Sequence, residues 1–447
     1  MKSIIVIPLL LVSLSVFSQQ HISLEEARRA AAETNMKLIN SRLETESAME
    51  VAASVKNNYY PSVSLDVGLM HAINPLLEIS SPGGNLPVYD GNPANLGSAS
   101  EFAYIPASTT GLLQKLGAAS LSVTQPIYVG GKIKMGDELS QMGVDVRRKQ
   151  EVLFKNDVLL ETTRQYWQIV SLQEKEKTIE KYEALLDRLS IQVNDAYKAG
   201  LIIQNDVYKL ELEQNELALN KSKLANGKRL ALLQFANTTG IPFDSSMHLI
   251  ESVDEYESPE YYKLMDGEGY LDRLSEVQLL EKSIQIQQLQ TKLKEADYLP
   301  TVAFGLNAFY LSQFEENTGG LNLFGFLSAS VPISSHWSGK HDVREMVIKE
   351  EIARNNLEDT KKLLQLRSEK SWVDLVEAYK QVLIIEDRII AANENLRVNQ
   401  SSYDSSVVTL SDLLEAKALQ TQALDDLIEA KAKYKVAIAA YLQYTGK

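Results

Sequence analysis

Cysteine is absent from all 447 residues. That excludes disulfides, thiolate metal sites, a thiol nucleophile and the lipidated cysteine of a bacterial lipoprotein. Long apolar runs are missing too: beyond residue 18 no segment approaches the roughly 20 apolar residues that a membrane-crossing helix needs. Histidine is sparse and scattered, at His21, His71, His248, His336 and His341. The step from His336 to His341 near a turn is a poor ligand spacing, so no metal site is expected. Cations are outnumbered, 45 Lys and Arg against 59 Asp and Glu, for a net charge of −14. Nucleic acid and anionic lipid surfaces are therefore poor partners. With no nucleophile elbow, phosphate loop or clustered ligand set in sight, no enzyme, no catalytic residue and no cofactor is expected.

Proline is missing only in places. The prolines fall at Pro8, in the regions 61–126 and 300–332, and at Pro242 and Pro259. From Ile127 to Ile241, and again from Ile333 onward, there is none, as uninterrupted helices require. In the first stretch Ile179, Tyr182, Leu186, Leu189, Val193 and Tyr197 follow a three-and-four step. In the second, Leu413, Ala416, Gln420, Ala423, Leu427, Ala430, Tyr434 and Ala437 do the same. Such heptad seams mark helices packed lengthwise on each other. A single helix from Gly131 to Gly200 would span about 100 Å and expose its seam to water. Reversal at Ala199-Gly200-Leu201, and near Ser405-Ser406 in the second stretch, turns each into an antiparallel helical hairpin. Shorter helices are expected at 23–57 and 269–297.

The two stretches are copies. Pro126-Ile127 recurs as Pro332-Ile333, Tyr197 as Tyr403, Asp206 as Asp412 and Thr239-Gly240 as Thr445-Gly446, each 206 positions later (332 − 126). Met1 and Lys2, the apolar run Ile4–Val12 and the small-residue exit at Val16-Phe17-Ser18 read as a secretory signal peptide. The expected division is a signal peptide at 1–18, a first repeat at 19–240, a connector at 241–268 and a second repeat at 269–447.

Each repeat enters its helices through a strand pair, expected near 61–71 and 118–128 in the first and near 300–312 and 322–333 in the second. Val63, Leu65, Val67 and Leu69 alternate with Ser62, Ser64, Asp66 and Gly68, which gives one oily and one wet face. Val302, Phe304, Leu306, Ala308 and Tyr310 repeat the pattern. The fourth strand is less regular, because Phe324 and Phe326 fall on the inner face. About ten alternating residues fit a tilted strand crossing a bilayer. Tyr59, Tyr60, Tyr128, Tyr298 and Trp337 gather at one strand end, as membrane-interface aromatics do. A soluble sheet with one buried face is the competing reading. Four strands cannot close a membrane barrel, whose known minimum is about eight; three copies would supply twelve.

Taken in order, the signal peptide, the two aromatic-x-Pro strand entries and the Pro-Ile turns with Gly131-Lys132 and Gly339-Lys340, each followed by a long hairpin, resemble the TolC family of outer-membrane efflux proteins. The resemblance implies a mainly α fold with membrane β: a trimeric 12-stranded β-barrel, four strands per chain, continuous with a long α-helical coiled-coil tunnel in the periplasm of a Gram-negative bacterium. It implies a channel giving passive passage from a periplasmic adaptor and inner-membrane pump in a tripartite efflux or type I secretion system. A periplasmic adaptor-like protein and a coiled-coil structural protein are the alternatives.

From the same resemblance come the site residues. Asp412 and Glu415, three apart on one helix face, match the acidic constriction of the family's periplasmic gate, although solvated coiled-coil carboxylates would look the same. Asp206 and Tyr403 match its closing links, with Val408 where a basic partner would complete them; Lys198 and Lys209 are expected to face solvent. Adaptor docking is expected at the tips Ala199, Gly200, Leu201 and Ser405, Ser406, Val407, the second lacking the glycine. Acidic pairs such as Asp425-Asp426 are expected to be surface charges. The first strand pair carries extra residues rich in Gly, Pro, Asn and Ser between His71 and Gln114, which reads as an exterior loop that either caps the barrel mouth or only decorates the surface.

Overall fold

A computed structural model describes residues 21–112, 114–263, 269–313, 318–333 and 336–446; the expected signal peptide lies outside them. The chain begins with β1 (His21–Ile22), α1 (Leu24–Thr34) and α2 (Met36–Lys56). Strands β2 (Ser62–His71), β3 (Leu77–Ser81), β4 (Gly84–Pro87), β5 (Phe102–Ile105), β6 (Ser108–Leu112) and β7 (Lys115–Tyr128) follow. Next come α3 (Lys132–Lys198), α4 (Gln204–Thr239), β8 (His248–Leu249), α5 (Pro259–Tyr262) and α6 (Ser275–Ala296). The second copy supplies β9 (Thr301–Gln313), β10 (Thr318–Ser330), α7 (His336–Asp404) and α8 (Leu410–Tyr444). The described residues fall into two compact units, and each draws segments from both copies: those within 21–48, 142–285 and 351–446 in the first, within 49–141 and 286–350 in the second.

In the first unit the heptad seams close on each other. Ile179, Tyr182, Leu186, Leu189 and Val193 of α3 pack with Leu210 and Leu217 of α4 and with Leu410, Leu413 and Leu414 of α8. Each fully buried leucine there contributes about 2 kcal/mol. A second cluster gathers Tyr166, Trp167, Ile169 and Val170 of α3, Leu232 and Phe235 of α4, and Ile22 and Leu249 of the short parallel pair β1–β8. Its buried Tyr166 hydroxyl donates to the Ile22 carbonyl at 2.9 Å. The third centres on Leu375, Val382, Tyr434 and Tyr441, with Tyr256 edge-on to both Tyr379 and Tyr434.

Local chemistry sets the helix ends. The Ser23 side chain accepts from the Glu26 N–H while the Glu26 carboxylate accepts from the Ser23 N–H, a capping box that starts α1. The single helix expected at 23–57 is broken at Asn35. Its side-chain amide donates to the Thr238 carbonyl at 2.9 Å and its side-chain oxygen accepts from the Lys37 N–H, so backbone groups are satisfied without continuing the first helix. At the end of α4, Gly240 has φ +68°, and a Cβ there would lie 2.2 Å from the Thr34 hydroxyl oxygen. That hydroxyl donates to the Thr239 carbonyl, so only glycine closes this junction. The pair Asp425-Asp426 departs from expectation. Asp426 accepts from Arg388 at 2.7 Å, whereas Asp425 is half-buried with one carboxylate oxygen buried and unbonded.

In the second unit the sheet order is β10-β9-β7-β2, every neighbouring pair antiparallel. The Gly131-Lys132 motif has a physical role at its base: Gly130 and Gly131 turn the chain at φ +66° and +79°, and Lys132 pairs with Asp297, just past α6, at 2.8 Å. In the second copy the Tyr298 ring covers Gly339, where a Cβ would sit 2.9 Å from it.

The residues between His71 and Gln114 are not the expected loop. They extend the β2–β7 hairpin as two further ladders, β3–β6 and β4–β5. Both keep one register: from Leu77 opposite Leu112 to Gly84 opposite Ile105, the chain advances seven residues on one arm and retreats seven on the other. Between His71–Lys115 and Leu77–Leu112 the outgoing arm holds three more residues than the returning arm, as a bulged bend requires. Pro75 lies against Gly111 at this bend, where a Cβ would come within 2.4 Å of its ring.

Candidate functional site

Two regions carry the expected functional residues, one in each unit. At the hairpin tips of the first unit, α3 and α7 end in the same way. The Leu201 N–H bonds the Ala196 carbonyl and the Gly200 N–H bonds that of Tyr197, both at 2.9 Å. In the other copy the Val407 N–H bonds Ser402 at 2.8 Å and the Ser406 N–H bonds Tyr403 at 2.9 Å. Each is a Schellman turn with its central residue left-handed, at φ +71° for Gly200 and +58° for Ser406. The missing glycine has not changed the geometry. Such turns commonly tuck the following apolar residue against the helix; here Leu201 and Val407 stand 78% and 76% exposed.

The aspartates three residues into the return helices have parted roles. Thr409 caps α8: the Asp412 carboxylate accepts from the Thr409 N–H at 2.8 Å and from its hydroxyl at 2.7 Å, while that hydroxyl oxygen accepts from the Asp412 N–H. These bonds from Thr409, side chain first, hold the Asp412 carboxyl below its ordinary range, with Lys209 adding to the effect. Glu415 is exposed on the same helix face. In α4 the N-cap is Ile203, which offers no acceptor, and Asp206 pairs instead with Lys209 at 3.6 Å.

Lys209 does not simply face solvent. Its ammonium donates to Ser411 Oγ at 2.8 Å and ties the start of α4 to the start of α8. Lys198 does stay outward, 3.8 Å from Asp195. Tyr403 packs half-buried against the tip cluster, and burial first, then the Asp206 carboxylate, pushes its phenol up. Sequence reasoning missed the Lys209–Ser411 tie, which no spacing announces, and the cap on Asp412, which the Thr409-x-x-Asp412 pattern does announce. Deeper along the same cluster, the Tyr182 hydroxyl donates to Glu213 at 2.7 Å, and Lys417 stands 5.4 Å over the Tyr182 ring. Burial pushes Lys417 down, with Lys181 adding to it.

In the second unit the register sorts the four strands into two faces. One carries the cross-strand pairs Val63–Val123, Leu65–Leu121 and Val67–Ala119, then Val123–Leu306, Leu121–Ala308, Phe304–Leu327 and Ala308–Leu323. That surface is apolar from edge to edge and exposed in one chain along β2 and β10. The other face carries Ser62, Ser64, Asp66, Ser120, Ser122 and Asn307. The Asn307 amide donates to Ser122 Oγ at 2.6 Å and to Ser120 Oγ at 3.1 Å. Phe324 and Phe326 do fall on the polar face, for a reason: Phe326 lies over Gly305, where a Cβ would be 2.3 Å from its ring, and Phe324 is edge-on to Phe309.

Tyr59, Tyr60, Tyr128 and Trp337 are exposed around one end of the sheet. Tyr298 stands at that end too, but its hydroxyl donates to Asp342 at 2.6 Å. Among the described residues no helix is long and apolar enough to cross a membrane, and no group of three His, Asp or Glu side chains is placed to hold a metal ion.

An open sheet apolar across one face, joined in one chain to two long helical hairpins, defines the fold of outer-membrane channels of the TolC type. The outer-membrane channel OprN superposes with a TM-score of 0.73 at 14% identity, over 95% of this chain and 89% of that one. For the CmeC channel of Campylobacter jejuni the values are 0.72, 14%, 95% and 85%. For VceC of Vibrio cholerae they are 0.70, 11%, 95% and 96%. No family model matches the chain, and no curated protein matches it in sequence. The likeness is one of fold.

Proposed function

We propose that three copies of this chain close a twelve-stranded barrel in the outer membrane of a Gram-negative bacterium and extend it as a helical tunnel into the periplasm. Substrates would pass through it passively, delivered by a periplasmic adaptor and an inner-membrane pump. The observation that carries this reading is the sheet itself: β2 and β10 are edge strands, and the apolar face runs right up to both. In hydrocarbon an open edge leaves a row of N–H and C=O groups without partners, at several kcal/mol each. Pairing β2 of one copy with β10 of the next satisfies them and turns the serine and asparagine face toward a wet lumen.

In this assembly Asp412 and Glu415 of three chains line the periplasmic constriction, with Asp206 bracing it from the start of α4 and Tyr403 from the end of α7. Leu201 and Val407, standing clear of their own helices, form with Ala199, Gly200, Ser405 and Ser406 the surface offered to the adaptor. Tyr59, Tyr60, Tyr128 and Trp337 sit at the periplasmic interface of the bilayer. Purification in detergent with mass measurement, followed by planar-bilayer recording, tests the proposal. A trimer with discrete conductance steps is expected; a water-soluble monomer that needs no amphiphile would overturn it.

A further inference from the structure

The extended hairpin, β3–β6 and β4–β5, lies outside the four-stranded sheet, yet it is built rather than slack. Among the described residues the β7–β9 ladder runs no further than Leu116 opposite Gln313. Past that point both ladders are, among the described residues, two-stranded, with both outer edges open. A two-stranded hairpin alone is marginal in water, and long open edges beside apolar side chains invite pairing. The apolar side chains are there: Ile73, Leu76, Ile79, Leu86, Phe102 and Tyr104 are all exposed, Ile73 at 91%. Charge is nearly absent. Residues 72–114 hold three carboxylates, Glu78, Asp90 and Glu101, and no lysine or arginine, so the arm offers nothing to the phosphates of an anionic lipid surface.

We infer that the arm's partner is the same arm on the other copies of this chain, so that three arms pair into a crown whose outer parts meet on the threefold axis over the exterior mouth of the barrel. This rests on the trimeric reading above. The arm continues β2, the edge strand that the proposed assembly joins to its neighbour, so it rises beside a subunit boundary. Three arms fixed to one rim meet at an effective concentration of order millimolar. Edge pairing too weak to hold an outside ligand is then sufficient. The bend at Pro75–Gly111 keeps the arm from continuing straight along β2 and β7.

Because the chain has no cysteine, Tyr89→Cys, Leu96→Cys and Tyr104→Cys each introduce a lone thiol on the outer part of the arm. A disulfide needs Cα atoms within about 7 Å. Mild oxidation of outer membranes should give a covalent dimer on a non-reducing gel for at least one of the three, with one chain of each trimer left unlinked. Mass measurement in detergent reads the trimer separately. A stable trimer in which none of the three thiols cross-links overturns the crown and leaves the channel standing. Absence of the trimer removes both, and an arm thiol that links only to a different polypeptide overturns the crown as well. As a second readout, replacing residues 72–114 by an Asn-Gly turn should raise single-channel conductance while the trimer persists; unchanged conductance counts against a closed crown.

Discussion

Gly200 and Ser406 occupy the same left-handed turn in the two copies, φ +71° and +58°, although only one of them is glycine. A left-handed L-residue costs roughly 1–2 kcal/mol, partly offset by the chain entropy that glycine would lose on folding. Ser406→Gly should therefore stabilise the protein by about 0.5–1 kcal/mol, and Gly200→Val should destabilise it by at least as much. Urea unfolding of the pair in one detergent checks this; equal midpoints would show that the turns are not under the strain assigned to them.

Thr409→Ala removes the cap of α8 and should cost about 1 kcal/mol. The reciprocal change, Ile203→Thr, gives α4 the cap it lacks, with Asp206 already at the required position. It should slow amide exchange over the first turn of α4. Faster exchange there would mean that the Lys209 pairing matters more to Asp206 than a cap does.

Asp425 supplies a pH test. Burial pushes its carboxyl up, Asp426 and Glu429 add to that, and Lys175 opposes it. A folded-state value above the ordinary 3.8 means that the fold prefers the protonated acid. This contribution is complete below pH 3.8 and is lost as pH rises through the folded value. Asp425→Asn should therefore be more stable than the parent at pH 7, by about 1 kcal/mol after allowance for partial exposure. The difference should vanish in acid. An advantage that persists at pH 3 would place its origin elsewhere.

On the sheet, Leu306→Lys puts a cation on the face proposed to meet lipid, where midplane lysine costs about 2–4 kcal/mol. Ser122→Lys puts the same charge on the polar face. The first should lower the heat resistance of the trimer; the second should keep the trimer and reduce cation preference in bilayer recordings. If both variants assemble equally well, the two faces have been assigned the wrong solvents.

At the tip, Asp412→Ala with Glu415→Ala should raise conductance or weaken cation selectivity, because it removes the carboxylates proposed to ring the constriction. Thr409→Ala, which loses the cap and keeps both charges, separates a helix-end effect from an electrostatic one. Parent-like currents from the double variant would end the gate assignment.

The hairpins and the two-faced sheet were legible because each rests on periodicity: three-and-four steps from Ile179 to Val193, alternation from Val63 to Leu69. What escaped depends on single contacts across the chain. Asn35 breaks a helix by reaching Thr238, and Lys209 reaches a serine some 200 residues away; the inward side of Phe326 was legible, but not its reason, the room left over Gly305. The arm between His71 and Gln114 was hidden by its composition. Gly, Pro, Asn and Ser mark turns locally, and here they punctuate a ladder whose register only the partner strand sets.

The duplicated starts of α4 and α8 are anchored unequally. Helix α8 is pinned by its own Thr409, whereas α4 is moored through Lys209 to a residue of the other copy. Cutting that tie would leave the start of α4 held by the packing of Leu210 and Leu217, with no side-chain cap, while the start of α8 keeps Thr409. Loss of the Lys209–Ser411 tie should therefore fray the first turn of α4 more than that of α8, which keeps its own cap.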